Sequence, residues 1–280
     1  MKVQLKLDGC ITTVKGILFD KDGTLLNFVS LWGIWGELLV LHVNQIVRRK
    51  SLTHDLPKPS ESLSVILGVT CDERGGIVDY DTEGLLSTGS AADIRNAVVQ
   101  YCIKAGFNSA EAETIAEESM SEASKGIDEL RPVQARARVV EVLKHLSEKG
   151  IRIAVVTADE TEDAIKHLEW LGISHYFQTI IGHDQVPNGK PNPDMVFLAC
   201  ERMGLSPSDV AVIGDTEGDM RMGKAAGAAL TVAILPEGKA VPIGDDKNHY
   251  GSADVLISSY EQLLHGLNQS TPNESEEMFS

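Results

Sequence analysis

From Pro132 onward the chain repeats one alternation four times. IRIAVVT (151–157), TIIG (179–182), DVAVIGD (209–215) and ALTVAIL (229–235) are short apolar runs rich in β-branched residues. Between them lie stretches of helical length, 134–149, 161–171, 193–203 and 217–226, each followed by glycine: Gly150, Gly172, Gly204 and Gly227. Glycine just past a helix accepts the left-handed conformation in which many helices end. Short strands that alternate with helices form βαβ units around a parallel sheet. Right-handed crossovers then bring the C-terminal ends of all the strands to one edge, where ligands bind in such folds. The predicted fold class is α/β, a Rossmann-like parallel sheet.

One more strand precedes this block. Residues 15–19 read as a buried strand, and the chain then changes texture. From Leu31 to Arg49 the apolar residues Leu31, Trp32, Ile34, Trp35, Leu38, Leu39 and Ile46 recur at helical spacing. A second helical region runs from about Ala91 to Lys125 and carries AEAETIAEESMSEASK, which reads as a solvated helix face. Polar, glycine-bearing connections are expected around 56–62 and 71–81. The predicted organisation is therefore a discontinuous core, 1–28 and 131–267, with a mainly helical domain inserted at 29–130. Ahead of the first strand, Val3, Leu5 and Leu7 alternate with polar residues before Asp8-Gly9, which predicts a small edge hairpin. The polar tail 268–280 is expected to be disordered.

The strand ends are where chemistry collects. ILFDKDGTLL (17–26) runs an apolar strand directly into Asp20, with Asp22 two residues on. Strand 151–156 ends in Thr157, and strand 209–213 ends at Gly214-Asp215, with Asp219 four residues later. Between them GKPNPD places Lys190 before a proline. Asp20 and Asp215 on one buried edge repel unless a cation bridges them. Mg2+ suits the role, being a hard ion held by a few carboxylates together with water and substrate phosphate. Two carboxylates, a divalent cation, a lysine and a threonine hydroxyl suit a phosphoryl group. Asp20 is then placed to attack phosphorus, Asp22 to protonate the leaving oxygen and later activate water, and Gly23 to let the backbone turn sharply beside the phosphate.

Asp20-Lys21-Asp22-Gly23-Thr24, then Thr157, Lys190 and Gly214-Asp215 with Asp219, resemble in order the four motifs of the haloacid dehalogenase superfamily. The spacing resembles its phosphatase branch with a helical cap between the first and second motifs, and most of all the phosphoglycolate phosphatase-like group. The resemblance covers roughly residues 14 to 265. It implies Asp20 as nucleophile, Asp22 as acid/base, Thr157 on the phosphoryl oxygens and Lys190 holding nucleophile and phosphate together. It implies Mg2+ held by the Asp20 carboxylate, the Asp22 backbone carbonyl and Asp215, with Asp219 binding through water or orienting the others. Gly23, Thr24, Ala158 and Asn27 complete the expected substrate-binding set. Ala158 stands where many relatives carry asparagine, and its backbone N–H is expected to serve instead. The implied partner is a small phosphorylated metabolite, phosphoglycolate-like or a sugar phosphate, and the implied cap opens to admit it and closes to exclude water.

Single motifs have simpler readings. DxDG can open a calcium loop, but an EF-hand requires glycine at its sixth position, which counted from Asp20 is Leu25. Taken alone, Thr157 reads as a helix cap, Lys190 as a surface lysine, and GDTEGD as acidic residues in a helix's first turn. Trp32 and Trp35 read either as cap core or as the lining of a substrate pocket, and Asn27 with Phe28 either as linker or as substrate contact. Arg48, Arg49 and Lys50 read as a solvated helix end. The alternatives to a phosphatase are a phosphomutase of the same fold, similar to the β-phosphoglucomutase type, and a non-catalytic phosphate-binding protein. A formal net charge of -16 argues against a nucleic-acid partner, though not against a local cationic pocket. No apolar stretch is long enough for a membrane span, the N-terminus lacks the apolar core of a signal peptide, and the four cysteines lie far apart as free thiols do. A cytoplasmic protein is expected; its oligomeric state is left open.

Overall fold

The computed structural model describes residues 1–50, 66–239 and 250–268. The connection expected at 56–62 and almost all of the tail expected to be disordered lie outside them. The chain forms two compact units, Met1–Asn27 with Ala135–Ser280, and Phe28–Gln134.

The first unit is built on a six-stranded parallel sheet. Its strands are β3 (Gly16–Phe19), β6 (Arg152–Val156), β7 (Thr179–Ile181), β8 (Val210–Gly214), β9 (Leu230–Ile234) and β10 (Val255–Ile257), in the order β10-β9-β8-β3-β6-β7. β3 is central, with Ile17 opposite Ile153 on one side and Ala211 on the other. All four of its residues are buried, because both faces of the sheet are covered by helices. The side chains alternate accordingly. Ile17 and Phe19 join a core with Val142, Leu143 and Leu146 of the helix Val139–Glu148 and Leu263 of the helix Tyr260–Asn268. Leu18 faces the other way, toward Met195 and Ala199 of the helix Asp194–Met203 and Met222 of the helix Glu217–Ala226. The alternating sheet and the parallel order agree with the sequence-based α/β expectation.

Three expectations change in detail. The N-terminal hairpin forms as β1 (Val3–Leu7) and β2 (Cys10–Val14), turning at Asp8-Gly9, but it is a separate two-stranded sheet, not an edge of the main one. Its apolar face packs onto the same core as Leu263 and Leu267. The helix expected from 134 starts at Val139. Ala135 instead pairs with Leu26 in an antiparallel bridge, and Arg138 is left-handed at φ 68°, so the helix cannot begin earlier. Finally, the connection expected at 71–81 contains a hairpin, β4 (Val69–Cys71) with β5 (Ile77–Tyr80).

The other elements described in the second unit are helical. A π-helical turn, Val29–Gly33, leads into the helix Ile34–Lys50, followed after the hairpin by the short helix Leu85–Thr88 and the helices Ala91–Lys104 and Ser109–Leu130. The last two are separate because each begins with its own capping box, Ser90 with Asp93 and Asn108 with Glu111. The acidic residues of Ser109–Leu130 lie away from its buried stripe of Ala112, Ile115, Ala116, Ala123 and Ile127. Trp35 is core of this unit: it is buried, and its indole N–H donates to Ser124 Oγ at 3.2 Å. Trp32 packs edge-on against it, ring centroids 5.9 Å apart, and stays half-exposed. Arg48 and Arg49 are exposed at the helix end. The four cysteines are free thiols. Among the described residues no helix is long and apolar enough to cross a membrane.

Candidate active site

The parallel register places Asp20 at the end of β3 between its two neighbours. Its backbone N–H donates to Ile213 O of β8 at 2.8 Å, so Gly214 and Asp215 follow directly beside it. On the other side β6 runs one residue further, to Thr157, whose N–H is held by Ile181 O of β7 at 2.9 Å. Adjacent parallel strands thus bring together residues nearly 200 positions apart in sequence.

Beyond Asp20 the chain turns tightly, with Leu25 N–H donating to Lys21 O at 2.8 Å. Gly23 sits in this turn at φ 72°, a conformation that disfavours a side chain. The turn is pinned from outside: the buried Arg136 guanidinium donates to Gly23 O and, at 2.6 Å, to Leu235 O, while the Tyr260 hydroxyl donates to Thr24 O at 3.0 Å.

Asp219 arrives by helix capping. Thr216 caps the helix Glu217–Ala226, accepting the Asp219 N–H at 3.2 Å and donating its hydroxyl to Asp219 Oδ2 at 2.5 Å. With Oδ2 so engaged, Oδ1 is left for the site, where Lys190 Nζ stands 2.6 Å away, off the direction of a good hydrogen bond. The same ammonium is 2.5 Å from Asp20 Oδ1. Gly214 permits this closeness, since a Cβ there would fall 2.4 Å from Asp219 Cβ and Cγ. Thr24 is fully buried and its hydroxyl donates to Asp215 Oδ1 at 3.4 Å.

Asp20, Asp215 and Asp219 each offer an oxygen, and these oxygens lie within 4.8 Å of one another. Burial pushes the Asp20 carboxyl up to about 7, the Asp219 and Asp22 carboxylates push the same way, and Lys190 only partly opposes them. Asp215 is held well above the usual carboxylate range by burial and then by Asp20 and Asp219. Burial pulls Lys190 down, but Asp20 and Asp219 outweigh it and hold the ammonium above the ordinary lysine range. Three buried carboxylates against one lysine is a charge imbalance that a hard divalent cation relieves, and an all-oxygen donor set is what such an ion takes. The residues therefore fit a divalent metal.

The other expected residues take these places. Asp22 is partly buried and gives Oδ1 to Lys21 Nζ at 2.6 Å. Thr157 is buried and its hydroxyl accepts the Asp159 N–H at 3.2 Å, a local turn of the capping kind. Ala158 is exposed at the same loop. Asn27 is half-buried, and its amide donates to Glu237 Oε2 at 3.1 Å.

Sequence reasoning missed a second buried cluster. Lys21 is fully buried and lies 2.9 Å from Asp159 Oδ2 as well as 2.6 Å from Asp22. His167, on the buried face of the helix Thr161–Trp170, places Nδ1 3.3 Å from Lys21 Nζ and 3.6 Å from Asp159 Oδ2. Burial pulls the Lys21 ammonium down, yet Asp159 and Asp22 outweigh it and hold it above its ordinary range. The carboxylates divide: burial raises Asp159 but Lys21 overrides it, leaving Asp159 well below the usual range, whereas burial and Asp159 hold Asp22 above it despite Lys21. A lysine between two aspartates at the end of a buried strand was the available signal.

The fold and this edge define an α/β protein with an acidic, lysine-bridged centre at the carboxyl ends of its strands. The model of the haloacid dehalogenase-like hydrolases matches residues 14–227, and the chain belongs to that family. It is 34% identical over 139 residues to the phosphoglycolate phosphatase of Escherichia coli K12, covering 49% of this chain and 54% of that protein. The chain thus spans about half the length of the curated relatives it matches. A putative pyrophosphatase of Clostridium perfringens is 40% identical over 87 residues, 31% of this chain and 41% of the relative. Among solved structures, a predicted phosphoglycolate phosphatase from Haemophilus somnus aligns over 90% of this chain and 97% of its own, with TM-score 0.61 and 21% identity. A putative β-phosphoglucomutase from Thermotoga maritima aligns over 91% and 99%, with TM-score 0.63 and 20% identity. At such identities these two structures speak to fold alone.

Proposed function

We propose that this chain is a Mg2+-dependent phosphomonoester hydrolase acting on a small phosphorylated metabolite, phosphoglycolate-like or a sugar phosphate. The carrying observation is the buried meeting of Asp20, Asp215 and Asp219 with Lys190 at the strand ends. The sequence similarity to phosphoglycolate phosphatases supports the hydrolytic reading.

Asp20, Asp215 and Asp219 would hold the cation, with the Asp22 backbone carbonyl as a further oxygen. When bound, Mg2+ supplies the positive charge that lets these carboxylates ionise together and draws in the anionic ester. Lys190 pairs with the phosphoryl oxygens and keeps the Asp20 carboxylate oriented, and the Thr157 hydroxyl with the Ala158 N–H donate to the same oxygens. Asp20 attacks phosphorus. The bond to the ester oxygen breaks, and Asp22 gives that oxygen its proton, so the alcohol leaves and an aspartyl-phosphate remains on Asp20. Asp22, now a carboxylate, takes a proton from water as the water attacks phosphorus. Inorganic phosphate leaves, and Asp20 and protonated Asp22 are restored. Gly23 keeps the turn beside the phosphate free of a side chain, while Thr24 positions Asp215 and Asn27 stands at the loop's exit.

The test is phosphate release from a panel of phosphoglycolate, sugar phosphates and other small monoesters, with Mg2+ and with EDTA. Release that stops in EDTA is expected. Turnover that persists without metal contradicts the proposal, as does transfer of the phosphoryl group to a second hydroxyl of a sugar with none released.

A further inference from the structure

Apart from Asp22, the buried cluster behind the first motif has no part in the chemistry above, and its geometry singles out Lys21. A lysine is rarely fully buried unless paired. This one is fully buried at the end of the central strand, with its ammonium against Asp22 Oδ1, Asp159 Oδ2 and His167 Nδ1. Desolvating an ammonium is expensive, and the Asp159 and Asp22 carboxylates beside it keep it charged. An ammonium cannot accept a hydrogen bond, so in a Lys21–His167 hydrogen bond the imidazole Nδ1 is the acceptor.

The consequence falls on Asp22. Among the described residues Lys21 is the hydrogen-bond partner of its carboxylate, and it grips Oδ1 alone. An oxygen already accepting from an ammonium is a poor place for a proton. The proton Asp22 carries therefore belongs on Oδ2, and the grip on Oδ1 also fixes the plane in which Oδ2 points. Asp159, in the loop after β6, and His167, on the buried face of the helix Thr161–Trp170, in turn contact Lys21 at 2.9 and 3.3 Å.

We infer that Lys21, held by Asp159 and His167, is a positioning residue that presents Asp22 Oδ2 as the proton donor to the leaving oxygen. This inference rests on the phosphatase reading, with Asp22 as acid. Lys21 touches neither substrate nor metal in this account, and its effect passes entirely through Asp22.

Proton donation matters only when the leaving group needs a proton. An alkyl phosphate must expel an alkoxide, whereas p-nitrophenyl phosphate expels a stable phenolate. The experiment compares kcat/KM for both esters in Lys21→Met, in the double variant K21M/D159N and in Asp159→Asn. kcat/KM reports steps up to departure of the alcohol, before water attacks. The double variant leaves no ammonium or Asp159 carboxylate buried alone, and near-UV circular dichroism verifies its fold. Loss of oriented proton donation is expected to lower kcat/KM for the alkyl ester about 100-fold, and for p-nitrophenyl phosphate less than about 5-fold. Asp159→Asn, which keeps Lys21, is expected to bias the two esters the same way by about 10-fold. Equal losses for both esters, or no loss for either, in the folded variants overturn the inference. Asp22→Asn is the control: if it shows the ester bias and the Lys21 variants do not, Lys21 alone is misassigned. If Asp22→Asn itself shows no bias, the acid role of Asp22 fails and the inference falls with it.

Discussion

At the scale of single residues, the site depends on atoms that cannot move far. Gly214 is the clearest case, because a methyl group there has no space that Asp219 does not occupy. Gly214→Ala must displace Asp219, and misplacement of a site group by about 1 Å can cost about 100-fold in rate. We expect a fall of that order in kcat/KM together with weaker Mg2+ activation, measured by titrating the metal. An unchanged metal dependence would mean that Asp219 is dispensable. The residue scale is also where sequence reading fell short. Asp20, Asp22, Lys190, Asp215 and Asp219 were legible because each is charged and stands at, or in the loop beside, a strand end. Arg136 and His167 carry no such mark. They reach the site because a bridge to Leu26 and a helix after β6 deliver them, and neither pairing is written in local spacing.

At the scale of elements, the periodicities read well where they were long. The buried runs became β3, β6, β7, β8 and β9, and the glycines after the helices at 204 and 227 adopt the left-handed conformation that ends them. Three short strands escaped, although β3 at four residues and β7 at three were read from their apolar runs. β4, β5 and β10 are too short to show alternation, and β10 is held largely by its neighbour. Its position depends on Asp254, which accepts from Thr231 N and Oγ1 at 2.9 and 3.0 Å and pairs with Lys224. Burial raises this carboxyl, but Lys224 and Thr231 outweigh it, leaving it below its ordinary 3.8. A group depressed on folding stabilises above its unfolded pKa and loses that contribution as pH falls through the folded value. Because the pair is solvent-screened, Asp254→Asn should cost about 0.5–1 kcal/mol at pH 7, and the difference from wild type should shrink below about pH 4. Urea melts at several pH values measure it, and a gap independent of pH would refute the ion-pair account.

At the scale of the whole molecule, the sheet converts distant sequence into one charged centre and leaves that centre short of positive charge. Metal binding should then act as a stability switch. At a Mg2+ concentration of about 100 Kd the folded state gains about 2.7 kcal/mol, or roughly 5–10 °C in Tm for a chain of this size. Asp215→Asn should abolish the shift while leaving the metal-free protein as stable as wild type or more so, since it removes a buried carboxylate that burial and its neighbours already disfavour as a charge. A full shift in that variant would place the ion elsewhere. What was least legible at this scale is the second unit. Its helices and its β4–β5 hairpin follow ordinary capping and burial, and nothing in such a pattern specifies a ligand.

The central claim is that Asp20 carries the phosphoryl group during turnover. It is tested most directly by acid-quenching the enzyme during hydrolysis of a 32P-labelled ester and mapping the label. Label on the peptide containing residues 17–26, lost in Asp20→Asn together with turnover while the fold persists, is the predicted result. Wild-type turnover in an Asp20→Asn variant, or label on any other residue, would contradict it.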